Sequence, residues 1–328
     1  MAHTSDLVTF SLADVHQATR LLLTANPGAI VAYRLLREVL RMPPNHPELA
    51  QAKAAALNSK WVCQLEESQL PDGSWGRFHS QDTKKKTVFR TTEEAIDRAF
   101  VLGLEPTDRV LTQVRQYILE VLQGTALITD WDEKNEAWPL LIKYLLAGRL
   151  AQIDPGNKLL DSFWTYLAEV ARQAFALGKY CLADEAAAYL NLSGIHLPGG
   201  FLESQHALWI LATRRLPYRL EHALVSWMWH KPDGIRYLRA PLHELPSRQI
   251  GYWLRSMHLL SRFSSWREIA LDTLNQLWEQ RDSDGLWDFG SDISRSIDFP
   301  LSENWRQSAK RKQDYSTSIL VLLRKYYD

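Results

Sequence analysis

Three acidic residues lie close together in the stretch TDWDEKNEAW: Asp130, Asp132 and Glu133. A carboxylic acid held by neighbouring carboxyl groups in an apolar pocket keeps its proton and can pass it to a substrate. We therefore expect Asp132 to be the acid of an acid-initiated reaction, with Asp130 and Glu133 setting its proton affinity. The structural alternative is that these residues cap a helix and interact with its dipole.

A second acidic pair, Asp184 and Glu185, lies in the small-residue stretch CLADEAAAYL, and His196 follows it. Facing a cavity, this pair would form a second catalytic site. Combined with Asp130 or Asp132, it would supply the two carboxyl groups, roughly 5–10 Å apart, that sugar-cleaving enzymes need. Tight packing of the alanines against a neighbouring helix is the structural alternative.

The chain contains 13 tryptophans, and so many large aromatic side chains require a deep core or an aromatic-lined cavity. Aromatic walls can stabilise a carbocation, stack on sugar rings or simply fill a core. The basic stretch NWRQSAKRK can attract a diphosphate by charge, or it can be a solvated patch. The candidate substrate-binding residues are Trp131, Trp138, His196, Trp209, Trp253 and Arg306.

The sequence offers no metal-ligand motif. Its two cysteines, Cys63 and Cys181, are far apart, and its 10 histidines are scattered without HExxH-like spacing. A zinc site needs ligands in short clusters, and a disulfide framework needs more cysteines. We therefore predict no metal and no cofactor.

The charge balance and the apolar runs exclude further classes. Lys and Arg together number 38, as do Asp and Glu, so the basic excess of a nucleic-acid-binding protein is missing. No run of about 18 uncharged apolar residues and no signal-peptide pattern occurs, which predicts no transmembrane segment and a cytoplasmic location. The sequence does not indicate an oligomeric state.

Apolar residues recur at the i, i+3, i+4 spacing of helices, whereas alternating strand patterns are rare. This periodicity predicts an all-α protein. No Ser/Gly/Pro-rich linker divides the chain, so we expect one domain over residues 1–328. The clearest apolar stripes are Leu36–Val39–Leu40, Trp138–Leu141–Ile142–Leu145–Leu146, Ile250–Trp253–Leu254–Met257–Leu260 and Leu271–Leu274–Leu277–Trp278.

In one segment, sequence signals mark where the helices begin and end. Thr91 and Glu94 form a capping-box pattern before AIDRAFVLGL, and Gly103 is a natural stop. Pro106 is expected to open the next helix, which ends at Gly124. The segment therefore predicts two helices joined by a short turn. Similar pairs fit at about 45–50 residues each, a spacing typical of helical repeats.

A turn sequence occurs twice, as QLPDGSW and as QRDSDGLW, with a Trp two residues after the Gly. Degenerate copies are HKPDGIRYL, with Asp233, Gly234 and Tyr237, and LPGGFLE, around Gly199 and Gly200. The residues of the two clear copies are Gln64 or Gln69, Asp72, Gly73 and Trp75, and then Gln280, Asp284, Gly285 and Trp287.

This pattern resembles the QW motif of squalene–hopene cyclases and of the wider terpenoid cyclase and protein prenyltransferase superfamily. The resemblance implies an α/α toroid of about five or six helix pairs, with the Trp of each turn packing back onto its own helix end. It also implies a central cavity for an isoprenoid or another hydrophobic molecule. The C-terminal segment is similar to bacterial toroid-like proteins of unassigned activity.

Class II terpene cyclases of this superfamily carry an Asp-x-Asp-Asp motif whose middle Asp protonates an alkene or epoxide. The segment here reads Asp-Trp-Asp-Glu and departs from that motif at its last position, Glu133. The leading hypothesis is a terpenoid-cyclase-type enzyme or binder of a hydrophobic ligand. The alternatives are a carbohydrate-active helical barrel with a carboxylate pair, and a non-catalytic interaction module.

Overall fold

The computed structural model of the chain describes residues 9–82, 86–128, 130, 137–194, 200–245, 250–291 and 298–328. Within these ranges the regular structure is helical, with no β-strand and one isolated bridge between Ser204 and Arg236. The predicted all-α class is therefore confirmed.

Fourteen α-helices lie in the described ranges. The second of them, α2, continues without a break into a π-helical turn, Leu35–Val39, and a 3₁₀ turn, Phe201–Glu203, precedes α10. In this part of the chain, no helix combines the length and the apolar character needed to cross a membrane. The helices are α1 (Leu12–Thr24), α2 (Ala29–Arg34), α3 (Pro47–Leu57), α4 (Lys60–Glu67), α5 (Thr92–Val101), α6 (Arg109–Leu122), α7 (Trp138–Ile153), α8 (Leu160–Ala174), α9 (Leu182–Ser193), α10 (Gln205–Leu211), α11 (Tyr218–His230), α12 (Ile250–Leu260), α13 (Trp266–Glu279) and α14 (Ser308–Lys325).

The ends of α5 are those that the sequence predicts. The Thr91 hydroxyl accepts the backbone N–H of Glu94 at 3.2 Å, which satisfies one of the free donors of the first turn. At the other end, Gly103 has a φ of +82°, the left-handed conformation that ends many helices.

The start of α6 differs from the prediction. The sequence predicts that Pro106 opens this helix, but α6 begins at Arg109 with Asp108 as its N-cap residue. The Asp108 carboxylate accepts the backbone N–H of Glu105 at 2.7 Å. This bond holds Pro106 in a turn before the helix, because an Asp at this position favours local side-chain-to-backbone bonding.

Both tryptophans of the recurring turn pack back onto the helix that precedes the turn. The indole N–H of Trp75 donates to the carbonyl of Leu65 in α4 at 3.0 Å. The indole N–H of Trp287 donates to the carbonyl of Leu277 in α13 at 2.7 Å. Both indoles are buried, so each turn closes over the carboxyl end of its helix.

The same two tryptophans reach a later helix through their backbone. The N–H of Trp75 donates to the Thr92 hydroxyl at the start of α5, at 3.0 Å. The N–H of Trp287 donates to the Ser316 hydroxyl in α14, at 3.1 Å. Each turn therefore joins the helix before it to the helix after it.

A third turn has the same backbone but no tryptophan. The N–H of Gly234 donates to the carbonyl of Lys231 at 3.1 Å, as the N–H of Gly73 donates three residues back in the first turn. Two residues after Gly234 the chain has Arg236, whose N–H donates to the carbonyl of Glu203. The fourth copy, at Gly199, lies partly outside the described residues.

The helices contact one another in a consistent order. Helix α7 packs against α10, α10 against α12, α12 against α14, and α14 against α2 and its π-helical continuation. Helix α6 contacts α5 and α7, and α8 contacts α7 and α10. Helices α7, α10, α12, α14 and α2 therefore form one continuous series of packed neighbours.

Contacts join the residues that precede α1 to the C-terminal part of the chain. The Tyr327 hydroxyl donates to the carbonyl of Phe10 at 2.5 Å, and the Phe10 ring contacts Trp278 at a centroid distance of 5.5 Å. The N–H of Thr9 donates to Asn275 in α13 at 3.0 Å. These contacts bring the region before α1 onto α13 and onto the residues that follow α14.

Candidate functional site

A cluster of charged side chains lies where α5, α7 and α10 meet. Glu93 of α5 accepts a hydrogen bond from Arg149 of α7 at 3.0 Å, and His206 of α10 also contacts it. Arg149 is 1 % exposed and also binds both carboxylate oxygens of Asp97, one of them at 3.1 Å. The buried charges are thus paired and hydrogen-bonded, as burial of charge requires.

A glycine allows this cluster to form. A Cβ atom on Gly148 would lie 2.7 Å from the Cβ of His206, closer than real Cβ atoms approach one another. The absence of a side chain lets α7 and α10 come together at this point. Arg149, the next residue of α7, is thereby brought beside His206 and Glu93.

Asp130 positions a loop that carries His79. Its buried carboxylate accepts the backbone N–H groups of Phe78, His79 and Ser80 at 2.6, 3.0 and 2.8 Å. The carbonyl of the same residue accepts the indole N–H of Trp138 at 2.6 Å. The loop before α5 is therefore fixed to the start of α7.

The His79 side chain completes the cluster. Its Nδ1 lies 2.5 Å from a carboxylate oxygen of Glu93, and its ring contacts those of Trp138 and Tyr237 at 5.9 and 5.7 Å. Burial opposes the protonated imidazole, but the Glu93 carboxylate outweighs it and raises the pKa of His79 above 6.5. The side chain is 24 % exposed, whereas His206 is fully buried.

Glu93 stays ionised in this setting. Burial alone would raise the pKa of a carboxyl group, but the neighbouring His206, Arg149 and His79 hold the pKa of Glu93 well below 4.5. His206 differs, because burial lowers its pKa. At neutral pH the cluster therefore combines an ionised Glu93, a neutral His206 and a His79 that titrates above 6.5.

Two cavities meet beside this cluster. A polar cavity of about 270 Å³, here called the histidine cavity, is lined by His79, Glu93, Arg149, Gln205, Tyr237 and Arg255, among others. A second cavity of about 220 Å³, here called the cation cavity, is lined by apolar side chains, by the acidic residues Glu38, Asp97 and Asp298, and by Arg34, Arg37, Trp209, Arg255, Arg262 and Lys325, among others.

The partition between the cavities consists of Asp97, Gln205 and Arg255, which line both. The Arg255 guanidinium binds Asp97 at 3.0 Å and lies 2.9 Å from Asp298. Gln205 is 8 % exposed, and no described residue forms a hydrogen bond with its side-chain amide. A buried amide without a protein partner is available to a water molecule or a ligand.

The cation cavity is lined by two positive side chains that form no ion pair with a described residue, the exposed Arg262 and the partly buried Lys325. Arg34 and Arg37 share Glu38, but within the described ranges Arg262 and Lys325 form no side-chain ion pair or hydrogen bond. The Arg262 guanidinium lies 4.5 Å from the centre of the Trp209 ring. Burial, followed by the charge of Arg262, lowers the pKa of Lys325 to about 8.

The walls of the cation cavity are largely apolar. Six helical segments contribute to them: α2 with its π-helical turn, α5, α7, α10, α12 and α14. The apolar lining residues are Phe100, Val101, Leu104, Leu238, Leu254, Leu259, Phe299 and Val321. An apolar wall with a few convergent polar groups is typical of a small-molecule site.

A larger, shallow groove of about 1290 Å³ lies on the surface between α8 and α11. Two of its basic residues already have acidic partners: Arg172 binds Glu169, and Lys231 binds Glu203. Its other basic side chains, Lys179 and Arg219, are exposed, whereas Lys325 of the cation cavity is partly buried, so its size alone does not make it the better candidate.

The residues predicted from the Asp-Trp-Asp-Glu segment fall partly within the described structure. Asp130 lies beside the site and anchors the His79 loop, and Trp138 contacts the His79 ring. Trp131, Asp132 and Glu133 lie outside the described residues. Acid catalysis by Asp132 therefore stays a prediction.

The second predicted acidic pair lies in the first turn of α9. Glu185 is buried, accepting the Tyr180 hydroxyl at 2.5 Å and the N–H of Leu202 at 2.9 Å, and burial raises its pKa. Asp184 is partly buried. Neither residue lines the two central cavities, and His196 lies outside the described residues.

The remaining predicted binding residues separate in the structure. Trp209 lines the cation cavity. Trp253 is fully buried and donates its indole N–H to the carbonyl of Leu242 at 3.3 Å, a contact within the core. Arg306 is exposed and lies in neither central cavity.

Several residues of the site were not identified from the sequence, namely Glu93, Asp97, Arg149, Arg262 and Lys325. Two signals point to the first three. Glu93 and Asp97 are four residues apart and share a helix face, and Arg149 interrupts the apolar run LLAGRLAQI. A charge inside an apolar helical run requires a buried partner.

No group of three or more His, Cys, Asp or Glu side chains in the described ranges has an arrangement that could hold a metal ion. Both cysteines are free. Comparisons with protein-family models, with curated proteins and with solved structures find no match for this chain.

Proposed function

We propose that the chain is an α/α toroid whose central cation cavity binds a small anionic ligand with an apolar body. A short isoprenoid diphosphate has this chemistry. Two observations support the toroid: the series of helices that pack against one another, and the six helical segments that line one cavity. The recurring turns support it further, because each joins the helix before it to one that follows.

The observation that carries the ligand assignment is the pair of unpaired cations, Arg262 and Lys325. Arg262 is exposed and Lys325 is partly buried, so the desolvation cost that a bound anion would remove falls mainly on Lys325. The guanidinium and the ammonium are both donors that suit phosphate oxygens. The apolar walls would contact the hydrocarbon part of the same ligand.

The size of the cavity restricts the ligand. Its volume of about 220 Å³ lies below the roughly 300–1,000 Å³ of sites for drug-sized ligands, so a short chain suits it better than a long one. Among isoprenoids, geranyl diphosphate is therefore the appropriate probe. Geraniol, which has the same chain without the diphosphate, and inorganic diphosphate separate the two parts of the interaction.

Isothermal titration calorimetry with these three probes tests the proposal. We expect geranyl diphosphate to bind more tightly than either geraniol or inorganic diphosphate. Lys325→Met should weaken geranyl diphosphate binding by about 10-fold or more, the equivalent of one charge-assisted hydrogen bond. Lys179→Met, the same substitution at an exposed site in the surface groove, is the matched control and should leave the affinity unchanged.

Two results would overturn this function: equal affinities for geraniol and geranyl diphosphate, or a Lys325→Met variant that binds geranyl diphosphate like the native protein. Acid-initiated cyclisation is a separate proposal that depends on Asp132. Asp132→Asn should abolish cyclisation of a bound isoprenoid without changing its affinity, and turnover by this variant would remove Asp132 as the acid.

A further inference from the structure

We propose that the histidine cavity is a hydrolytic site in which His79 activates water for attack on a small ester. Glu93 orients the imidazole, and the Gln205 amide stabilises the negative charge that develops on the ester oxygen. This site is distinct from the cation cavity, although both adjoin Gln205 and Arg255.

The contact with Glu93 fixes which imidazole nitrogen can act. An ionised carboxylate only accepts hydrogen bonds, so the His79 Nδ1 that lies 2.5 Å from it carries the proton. The neutral imidazole then has its lone pair on Nε2. No described residue forms a hydrogen bond with this Nε2, which leaves it available to a water molecule.

The imidazole is held in place before any ligand arrives. Its backbone N–H is bonded to Asp130, and the rings of Trp138, His206 and Tyr237 surround its side chain. The side chain nevertheless remains 24 % exposed and lines the cavity. A base that is oriented by a carboxylate yet open to a cavity has the arrangement of catalytic histidines.

Two further features of the cavity indicate a ligand. Gln205 is 92 % buried and lines the cavity with an amide that no described residue satisfies. Tyr237, whose ring contacts that of His79, has a φ of +76°, which strains the backbone of a bulky residue. Strain of this kind persists where the surrounding structure imposes it and concentrates at functional sites.

The reaction balances with water as the only co-reactant. A water oxygen bonds to the carbonyl carbon of the ester while His79 Nε2 takes one water proton. The carbonyl oxygen becomes an oxyanion that accepts the side-chain N–H of Gln205. The carbon–oxygen bond to the alcohol then breaks, and the proton on Nε2 passes to the leaving oxygen. The products are a carboxylic acid and an alcohol, and Glu93 remains ionised throughout.

An imidazolium group can transfer a proton to an oxygen atom but not to an alkene carbon. Its pKa near neutrality allows proton exchange with water and alcohols, whereas protonation of an alkene requires a far stronger acid. Hydrolysis at His79 is therefore a different reaction from the alkene protonation expected at Asp132.

The test measures hydrolysis of p-nitrophenyl butyrate by the full chain. We expect activity above the buffer rate, and at least a 100-fold loss in kcat/KM for His79→Gln, the scale of a missing general base. His230→Gln makes the same substitution at an exposed histidine and should retain the native rate. Gln205→Leu should also lower kcat by about 100-fold, as loss of an oxyanion donor does.

A pH profile distinguishes a catalytic His79 from one that only supports the fold. Its imidazole is faced by Glu93, Asp130, Arg149, His206 and Tyr237, and the carboxylates dominate, so kcat/KM should rise through a pKa above 6.5. Glu93→Gln removes a negative charge beside His79, so the rise of kcat/KM with pH should move to lower pH. Circular dichroism must show that the variant remains folded.

Absence of hydrolysis, or an unchanged rate in His79→Gln, would overturn the hydrolytic site. A pH profile of kcat/KM that is the same in Glu93→Gln as in the native protein would also overturn it. The cation cavity is judged separately, because His79→Gln should still bind geranyl diphosphate and Lys325→Met should still hydrolyse the ester.

Discussion

The two cavities share a partition but differ in whether their charged side chains form ion pairs. Beside the histidine cavity, Glu93, Asp97 and Arg149 satisfy one another within a cluster. In the cation cavity, Arg262 and Lys325 form no ion pair with a described residue, and only the more distant charges of Glu38 and Asp328 favour the charged form of Lys325. The same interior therefore contains a network whose charges are paired and, beside it, a partly buried Lys325 that forms no ion pair.

This difference distinguishes charged residues that stabilise the fold from charged residues that can bind a ligand. A network that pairs its own charges joins helices and needs nothing more, so breaking it should cost stability. An unpaired cation lowers stability until an anion arrives, so removing it should help the fold and harm binding. Substitutions in the two cavities should consequently have effects of opposite sign on the free energy of unfolding.

The largest expected effect comes from Arg149→Met in the paired cluster. Removing one member leaves Glu93 and Asp97 buried without their main counter-charge, which should lower the free energy of unfolding by about 3–5 kcal/mol. Urea unfolding followed by circular dichroism measures it. Arg262→Met, in the other cavity, is the control and should be far less harmful; equal losses would contradict the distinction between the cavities.

Ligand-dependent stabilisation should come next in size. An anion that binds only the folded chain at 100 times its Kd raises the free energy of unfolding by about 2.7 kcal/mol. Differential scanning calorimetry with geranyl diphosphate should therefore show an increase in Tm. Lys325→Met at the same ligand concentration should show a smaller increase, and an identical increase would remove Lys325 from the site.

Lys325→Met should itself be more stable than the native protein at pH 7, by an amount of the order of 1 kcal/mol. The gain arises because Met contacts the apolar wall without the cost of a partly buried ammonium group that forms no ion pair. Urea unfolding without ligand tests this prediction. A variant less stable than the native protein would mean that Lys325 has a stabilising partner.

The pH dependence of that gain tests its cause. The pKa of Lys325 is about 8 in the folded chain and 10.5 for an unperturbed lysine, so the unfolded chain binds more protons between these values. Stability of the native protein should therefore rise with pH across this window. The difference from Lys325→Met should shrink from pH 7 to pH 10.5, and a constant difference would refute the assigned cause.

Local patterns allowed part of this fold to be predicted. The Thr91 cap, the stop at Gly103 and the return of Trp75 and Trp287 to the preceding helices all depend on residues that are near one another in sequence. The start of α6 was wrong by three residues, because the Asp108 bond to the backbone is as local as the Pro106 signal that it overrides.

The site itself was less predictable, because its contacts join distant parts of the chain. Glu93 binds Arg149 at a separation of 56 residues and His206 at 113. Composition and periodicity place each residue on a helix but do not reveal which helices meet. Asp130 was predicted to set the proton affinity of Asp132, and its bonds to the His79 loop were not predicted because they depend on a partner 50 residues away.

The contacts that join Phe10 to Tyr327 also have a consequence for how the chain reaches its native state. Their partners are 317 residues apart in sequence, so the chain must lose much conformational freedom before these bonds form. Such non-local contacts slow folding, and we expect α1 to dock late. The same segment should separate from α13 and α14 most readily in native-state hydrogen exchange, well before the helices around Arg149 open.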